Sequence, residues 1–256
     1  MNNKYHPLVL YAKKQLDAGE QNVHLIENHP ELDEFISPLG KYPHAYVLAC
    51  IMDRQVSAEN AWIIPYNIGK AIGGFEISDL QKLSKDEVVS LFYNTSKHRY
   101  KREMAENFYS AVQKIINQYE GDARKIWNDT PPSGMLICRF LQFDGVGIKI
   151  ATMAANILAR QFKVELKDKS SIDVSPDIHI MRIFYRSGLI SSEKAKEEAI
   201  YMARALYPEY PGIVDYPCWY IGRTFCHPHN PNCTECPLSV FCKKITQSFN
   251  QKNNNA

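Results

Sequence analysis

The stretch Phe143–Ala159, FDGVGIKIATMAANILA, decides the fold. Its first five residues, Phe143-Asp144-Gly145-Val146-Gly147, join a segment at 134–142 that reads as a helix to a second helix over 148–161. Two glycines around a small apolar residue make a tight hairpin whose backbone N–H groups can project outward. With the N-terminus of the following helix, they offer donors and a positive dipole to a phosphate. A turn that merely needs positive φ would use the same residues. Between Ile148 and Ala159 the only charge is Lys149. The remainder is apolar or small almost all round, as in a buried helix. A cation in the first turn opposes the helix dipole, and such local violations tend to mark functional sites. A partly desolvated ammonium beside a positive helix end is biased toward the neutral amine, a usable nucleophile. The alternative is a surface lysine whose stem covers the helix end.

Outward from this hairpin the periodicity is helical nearly throughout. Tyr5, Leu8, Val9, Ala12 and Leu16 form an amphipathic stripe ending near Gly19, and Tyr46–Met52 is mostly apolar. Ser84-Lys-Asp-Glu87 is a capping-box pattern ahead of Val88, Val89, Leu91 and Phe92. Further helices are predicted at 101–118, 178–187, 192–206 and 212–223, and the helix at 134–142 follows the breaker Pro131-Pro132-Ser133. The segment 163–173, KVELKDKSSID, is the one place for a short hairpin of strands, and the Asn- and Gln-rich tail from Gln247 reads as disordered. The expected fold class is all-α.

Two other constellations carry chemistry. Ser175-Pro176-Asp177-Ile-His179-Ile-Met-Arg182 starts a helix in which Pro176 suits the first turn and Ser175 or Asp177 can cap. A carboxylate there stays ionised at the positive helix end. Asp177 is the candidate, with a plain N-cap as the alternative role and Asp173 as a competing acid. Near the C-terminus, Cys226, Cys233, Cys236 and Cys242 place four thiols within a short segment, the number that a [4Fe–4S] cluster or a structural zinc site needs. Only 233 and 236 form a close couple, unlike most zinc ribbons, and disulfides rank third in a reducing setting. The other three of the seven cysteines, Cys50, Cys138 and Cys218, read as small buried hydrophobes.

The 256 residues can bury a substantial core, and a composition 45% hydrophobic and 23% charged is ordinary for a soluble globular chain. No apolar run is long enough to span a membrane. The opening residues MNNKYHPLVLYAKKQL are too interrupted for a secretory signal, so the expected location is cytoplasmic, nucleoid-associated if the chain binds DNA. A net charge of +2 says nothing for nucleic acid, so any such case rests on where the charge lies. Lys97-His98-Arg99-Tyr100-Lys101-Arg102 is the best basic patch, Lys97, Arg99 and Lys101 being the candidate DNA contacts. The same run would serve as a solvated helix start.

Taken together, Gly145-Val-Gly147-x-Lys149-x-Ala151, Asp177-x-His-Ile-x-Arg182 and the C-x6-C-x2-C-x5-C run at 226–242 resemble the endonuclease III family of helix-hairpin-helix DNA glycosylases. The motifs fall in the family's order, and the resemblance covers roughly residues 40–245. Upstream, Asp53-Arg-Gln55-Val-Ser57 looks like the stretch where the family places a glutamine that fills the gap left by an extruded base. Three departures stand out: Asp144 where the family usually has proline, a longer connection between Lys149 and Asp177, and a Cys226–Cys233 loop, HPHNPN, without lysine or arginine.

The resemblance implies two helical lobes with a DNA cleft between them. The expected division is residues 1–40 as an N-terminal helix and linker belonging to the cluster lobe, 41–162 as the central lobe, 163–245 as the cluster lobe and 246–256 as a tail. It also implies a nucleophile at Lys149, its carboxylate partner at Asp177, a [4Fe–4S] cluster on the four cysteines, and DNA backbone contacts from Gly145, Val146 and Gly147. Gln55 would plug the vacated space. The expected partner is double-stranded DNA containing a damaged or mismatched base or an abasic site, bound by a monomer. The expected activity is base excision, with oxidised pyrimidine as default substrate, followed by strand nicking through β-elimination. Monofunctional relatives, acting on mismatched or oxidised purine bases, lack a lysine at this position. A non-catalytic helix-hairpin-helix binding module is the alternative outside enzymology.

Overall fold

The computed structural model describes residues 5–17 and 30–245. Every regular element among them is helical. Helix α1 (Pro7–Asp17) is followed by α2 (Pro30–Ile36), α3 (Pro43–Met52), α4 (Ala58–Trp62), α5 (Ile64–Ile72), α6 (Ile77–Gln81) and α7 (Lys85–Thr95). Next come α8 (Lys101–Tyr119), α9 (Ser133–Leu141), α10 (Ile148–Arg160), α11 (Ile178–Ser187), α12 (Lys196–Leu206) and α13 (Asp215–Thr224). Among the described residues no helix is long and apolar enough to cross a membrane. The chain divides into two compact units, one of Met1–Gly19 with Asp173–Ala256 and one of Glu20–Ile172.

The unit of residues 20–172 is built around α3. All ten of its residues are buried, and Ala45 to Met52 have no exposed surface. Burial of Val47, Leu48, Ile51 and Met52 contributes roughly 1.5–3 kcal/mol each. The one polar tip in this run is accounted for: the Tyr46 hydroxyl donates to the Ala154 carbonyl on α10 at 2.7 Å. Helix α8 packs against both α3 and α7. It buries Met104, Ala105, Phe108, Ala111, Val112 and Ile115, the spacing of one helical face. On α7, the expected capping box is present, with Ser84 Oγ accepting from Glu87 N and Glu87 returning a bond to Ser84 N. Helix α8 starts at the expected Lys101 and ends one residue beyond the expected end.

In the other unit, α11 packs against α13, and α1 packs against α13 and the 3-10 turn Pro211–Val214. That turn takes up the start of the helix expected from 212, so α13 proper begins at Asp215. Helix α12 begins at Lys196, after the expected start, because Glu198 Oε2 accepts from both the backbone and the hydroxyl of Ser191 and holds the preceding residues in a turn.

Two sequence expectations are corrected. No strand forms over 163–173. Its donors go elsewhere: Val164 N closes the end of α10 on Leu158 O, Lys167 N reaches Pro131 O, and Ser171 N reaches Ser133 Oγ. Asp168 accepts from the Ser133 hydroxyl at 2.6 Å, clipping the segment to the start of α9. Cys138 is exposed, whereas Cys50 and Cys218 are buried as expected. The inward face of α9 is Ser133, Leu136, Ile137 and Phe140, which turns position 138 outward. The tail expected to be disordered from Gln247 lies outside the described residues.

Candidate active site

Helices α9 and α10 pack against each other through a turn anchored by Phe143. The Phe143 ring is 2% exposed and stacks on Tyr119 with ring centroids 6.4 Å apart. Val146 N closes the turn on Phe143 O at 3.1 Å. The two glycines differ in kind. Gly145 has φ +79°, and a Cβ there would collide with the Asn107 side chain, so the fold itself demands glycine. Gly147 is the N-cap of α10 with φ −97° and ψ 177°, extended backbone open to any residue, and a Cβ would meet nothing within 4 Å. Among the described residues nothing requires glycine at 147, and the position borders open space. No side chain caps the N-terminus of α10. Asp144 accepts from the Ser110 hydroxyl at 2.5 Å and ties the turn to α8.

Lys149 stands in the first turn of α10 and is exposed. The expectation of a partly desolvated ammonium is therefore not met. Helix α10 buries Ile150, Ala151, Ala154, Ala155, Leu158 and Ala159, which leaves Ile148, 62% exposed, and Lys149 outside. The Thr152 hydroxyl donates to the carbonyls of Ile148 at 2.9 Å and Lys149 at 3.1 Å, fixing the backbone that carries the amine.

Asp177 is half-buried and is the N-cap of α11. Its Oδ1 accepts from His179 N at 2.9 Å and Ile180 N at 2.8 Å. Both bonds of the cap end on Oδ1, and neither uses Oδ2. The competing acid is committed elsewhere: Arg204 donates to both Asp173 oxygens at 2.7 Å. Next to Asp177, burial lowers the His179 imidazole below its ordinary value, although the Asp177 charge opposes this. The His179 Nδ1 lies 3.0 Å from the Arg182 guanidinium and accepts from it. Arg182, 5% exposed, also donates to the carbonyls of Cys226 at 2.7 Å and Gly222 at 3.0 Å. Lys149 belongs to the unit of residues 20–172 and Asp177 to the other.

The four clustered cysteines are free thiols lining one cavity. Arg186 donates to Cys226 Sγ at 3.4 Å and to the carbonyls of His227 and Pro228, and Lys244 N donates to Cys242 Sγ at 3.4 Å. Burial pushes the Cys236 and Cys242 thiols up, and negative charge on neighbouring cysteines adds to it. Among the described residues no three His, Cys, Asp or Glu side chains are placed to hold a single metal ion. Four thiols around one cavity, with N–H donors directed at two of the sulfurs, are a donor set suited to a metal centre.

Of the candidate DNA contacts, Lys97 and Arg99 are exposed, separated by the buried His98. Lys101 is partly covered and donates to the Tyr93 carbonyl at 3.2 Å. Gln55 is exposed in the α3–α4 loop with φ +56°. Its Oε1 accepts from the Tyr100 hydroxyl at 2.9 Å. That contact joins residues far apart in the chain and leaves no trace in local sequence, and the same is true of the Arg182 and Arg186 bonds to the cysteine loop.

No protein-family model matches the chain, and no curated protein matches it in sequence. Solved structures do. A trapped endonuclease III–DNA covalent intermediate is similar over 92% of this chain and 94% of that one, with TM-score 0.60 at 15% identity. A thermostable thymine-DNA glycosylase is similar over 93% and 96%, with TM-score 0.59 at 16% identity. The 8-oxoguanine DNA glycosylase of Methanocaldococcus jannaschii is similar over 87% and 98%, with TM-score 0.51 at 19% identity. The chain has the helix-hairpin-helix DNA glycosylase fold of endonuclease III.

Proposed function

We propose that the protein is a DNA glycosylase of base-excision repair with abasic-site lyase activity. The observation that carries this reading is Lys149, the one cation in the first turn of the hairpin's second helix, standing exposed behind a glycine that the described packing does not require. The outward space at Gly147 suits close approach of a DNA phosphate to the uncapped N-terminus of α10. The target base is rotated out of the stack, at a cost of a few kcal/mol, and Gln55 fills the gap. The Lys149 amine attacks C1′ of the sugar. The C1′–N bond breaks, and the base leaves with its electron pair and is protonated. Asp177 Oδ2, unoccupied by the cap, accepts the proton that the attacking amine loses and stabilises positive charge developing on the sugar. The C1′–O4′ bond then breaks, O4′ takes up a proton and the sugar ring opens, leaving an imine between Lys149 and C1′; this permits loss of a C2′ proton and cleavage of the C3′–O bond, with the 3′ phosphate as the leaving group. Like the neighbour solved as a covalent intermediate with DNA, the protein would act on DNA.

Cys226, Cys233, Cys236 and Cys242 would hold a [4Fe–4S] cluster, which supplies a covalent cross-link for an otherwise coil-rich segment. Base release requires no electron from it. A panel of duplexes, each bearing one oxidised pyrimidine, 8-oxoguanine, uracil or mismatched thymine, tests the reading: base release with strand nicking from at least one lesion supports it. Release without nicking indicates a monofunctional glycosylase, and binding without release indicates a non-catalytic module.

A further inference from the structure

We propose that Tyr100 is a positioning residue, whose hydroxyl holds the Gln55 side chain in the attitude needed to enter the duplex; this rests on the reading of Gln55 as the group that fills the vacated space. Gln55 has φ +56°, a left-handed conformation that glycine or asparagine would adopt more readily. Its side chain is exposed, and an exposed glutamine is free to sample several rotamers. The 2.9 Å bond from Tyr100 to Oε1 removes that freedom.

Tyr100 is itself held from below. Its backbone N–H donates to Nδ1 of His98 at 3.0 Å. His98, 1% exposed, donates its own N–H to Ser96 Oγ at 3.0 Å, and Ser96 is 5% exposed. Helix α8 starts at the next residue, so the ring sits at the head of a 19-residue helix. A second link joins the same two segments: Arg54 donates to Glu103 Oε1 at 2.6 Å, one residue before Gln55 and one turn after Tyr100. A side chain that must enter a base stack loses less entropy on binding when it is already fixed, which raises affinity without a new contact. The bracket of Ser96, His98 and Tyr100 does this for Gln55.

The test uses the full chain and two duplexes, one undamaged and one carrying a tetrahydrofuran abasic analogue, with binding read by fluorescence anisotropy. Tyr100→Phe keeps the ring and removes the hydroxyl. The expected result is a loss in preference for the abasic duplex of about threefold to tenfold, the range of one hydrogen bond. Gln55→Ala should lose at least as much, and Tyr100→Phe should cost nothing further in the Gln55→Ala background. 2-Aminopurine placed opposite the analogue reports the same loss as reduced unstacking, independently of affinity. If Gln55→Ala loses preference and Tyr100→Phe does not, the positioning role is wrong and the role of Gln55 stands. Equal loss with and without Gln55 means that Tyr100 touches DNA itself, which also overturns the proposal. If Gln55→Ala binds as the wild type does, the reading of Gln55 fails and takes the proposal with it.

Discussion

Replacing each hairpin glycine by alanine separates what the fold needs from what DNA needs. At Gly147 an alanine adopts φ −97° and ψ 177° without strain, and its Cβ meets nothing within 4 Å. Two small effects then oppose each other. Reduced freedom of the unfolded chain stabilises by about 0.4–1 kcal/mol, while alanine is a poorer N-cap than glycine by roughly the same amount. Net stability should stay within about 0.5 kcal/mol of wild type. A phosphate drawn to the α10 N-terminus would instead be pushed away. Loss of one hydrogen bond to a charged group costs about 1.5–3 kcal/mol, so affinity for duplex DNA should fall roughly tenfold to a hundredfold. At Gly145 the order reverses. Alanine at φ +79° costs about 1–2 kcal/mol, and the Asn107 side chain must also move. Adding Asn107→Ala should recover the steric part and leave the backbone part. Urea denaturation and anisotropy titrations at fixed salt read both quantities. Wild-type DNA affinity in Gly147→Ala would refute the phosphate-cradle reasoning, and a destabilisation of Gly147→Ala as large as that of Gly145→Ala would refute the division of roles.

Asp177→Asn keeps an equally good N-cap, so the unfolding midpoint should barely move, while base release should drop by at least about a hundredfold; unchanged turnover would leave Asp177 as a cap only. Asp177→Ala should cost about 1 kcal/mol in addition. Burial lowers His6, His44, His98 and His179 below the ordinary 6.5, so the unfolded chain takes up protons first as pH falls. Their contribution is complete above 6.5 and is lost as pH drops through the lowered folded values. The urea midpoint should therefore be lower at about pH 5.5 than at about pH 7.5, and a midpoint that rises on acidification contradicts this. Anaerobically purified protein should contain iron and acid-labile sulfide in equal amounts and show a broad visible absorption that bleaches on chelation; stoichiometric zinc in their place would contradict the cluster.

Much of the fold was legible because its signals are local. The Ser84–Glu87 box, the bounds of α8 and the α9–α10 hairpin follow from capping chemistry, helical period and two glycines. The 163–173 segment misled because alternating residues favour a strand only if a partner strand exists, and here Pro131 and Ser133 take its donors instead. Cys138 misled because its neighbours are apolar while its angular position on α9 is outward. Of the candidate residues, Lys149 and Asp177 stand out in the sequence as a misplaced charge and a helix-start acid. The exposure of Lys149 does not, since it depends on which face of α10 the rest of the unit covers. The sequence singled out Asp177 over Asp173 only through the resemblance, and the bonds that commit Asp173 to Arg204 are a tertiary contact that no local pattern announces. Tyr100 and Gln55 meet only in three dimensions.

In the proposed reaction Lys149 bonds covalently to the sugar. Borohydride reduction of a mixture of the protein with abasic-site duplex tests it directly. The expected result is a protein–DNA adduct that survives denaturing electrophoresis, maps to Lys149 by mass spectrometry and is absent from Lys149→Ala. No adduct from the wild type, or as much from Lys149→Ala, would contradict it.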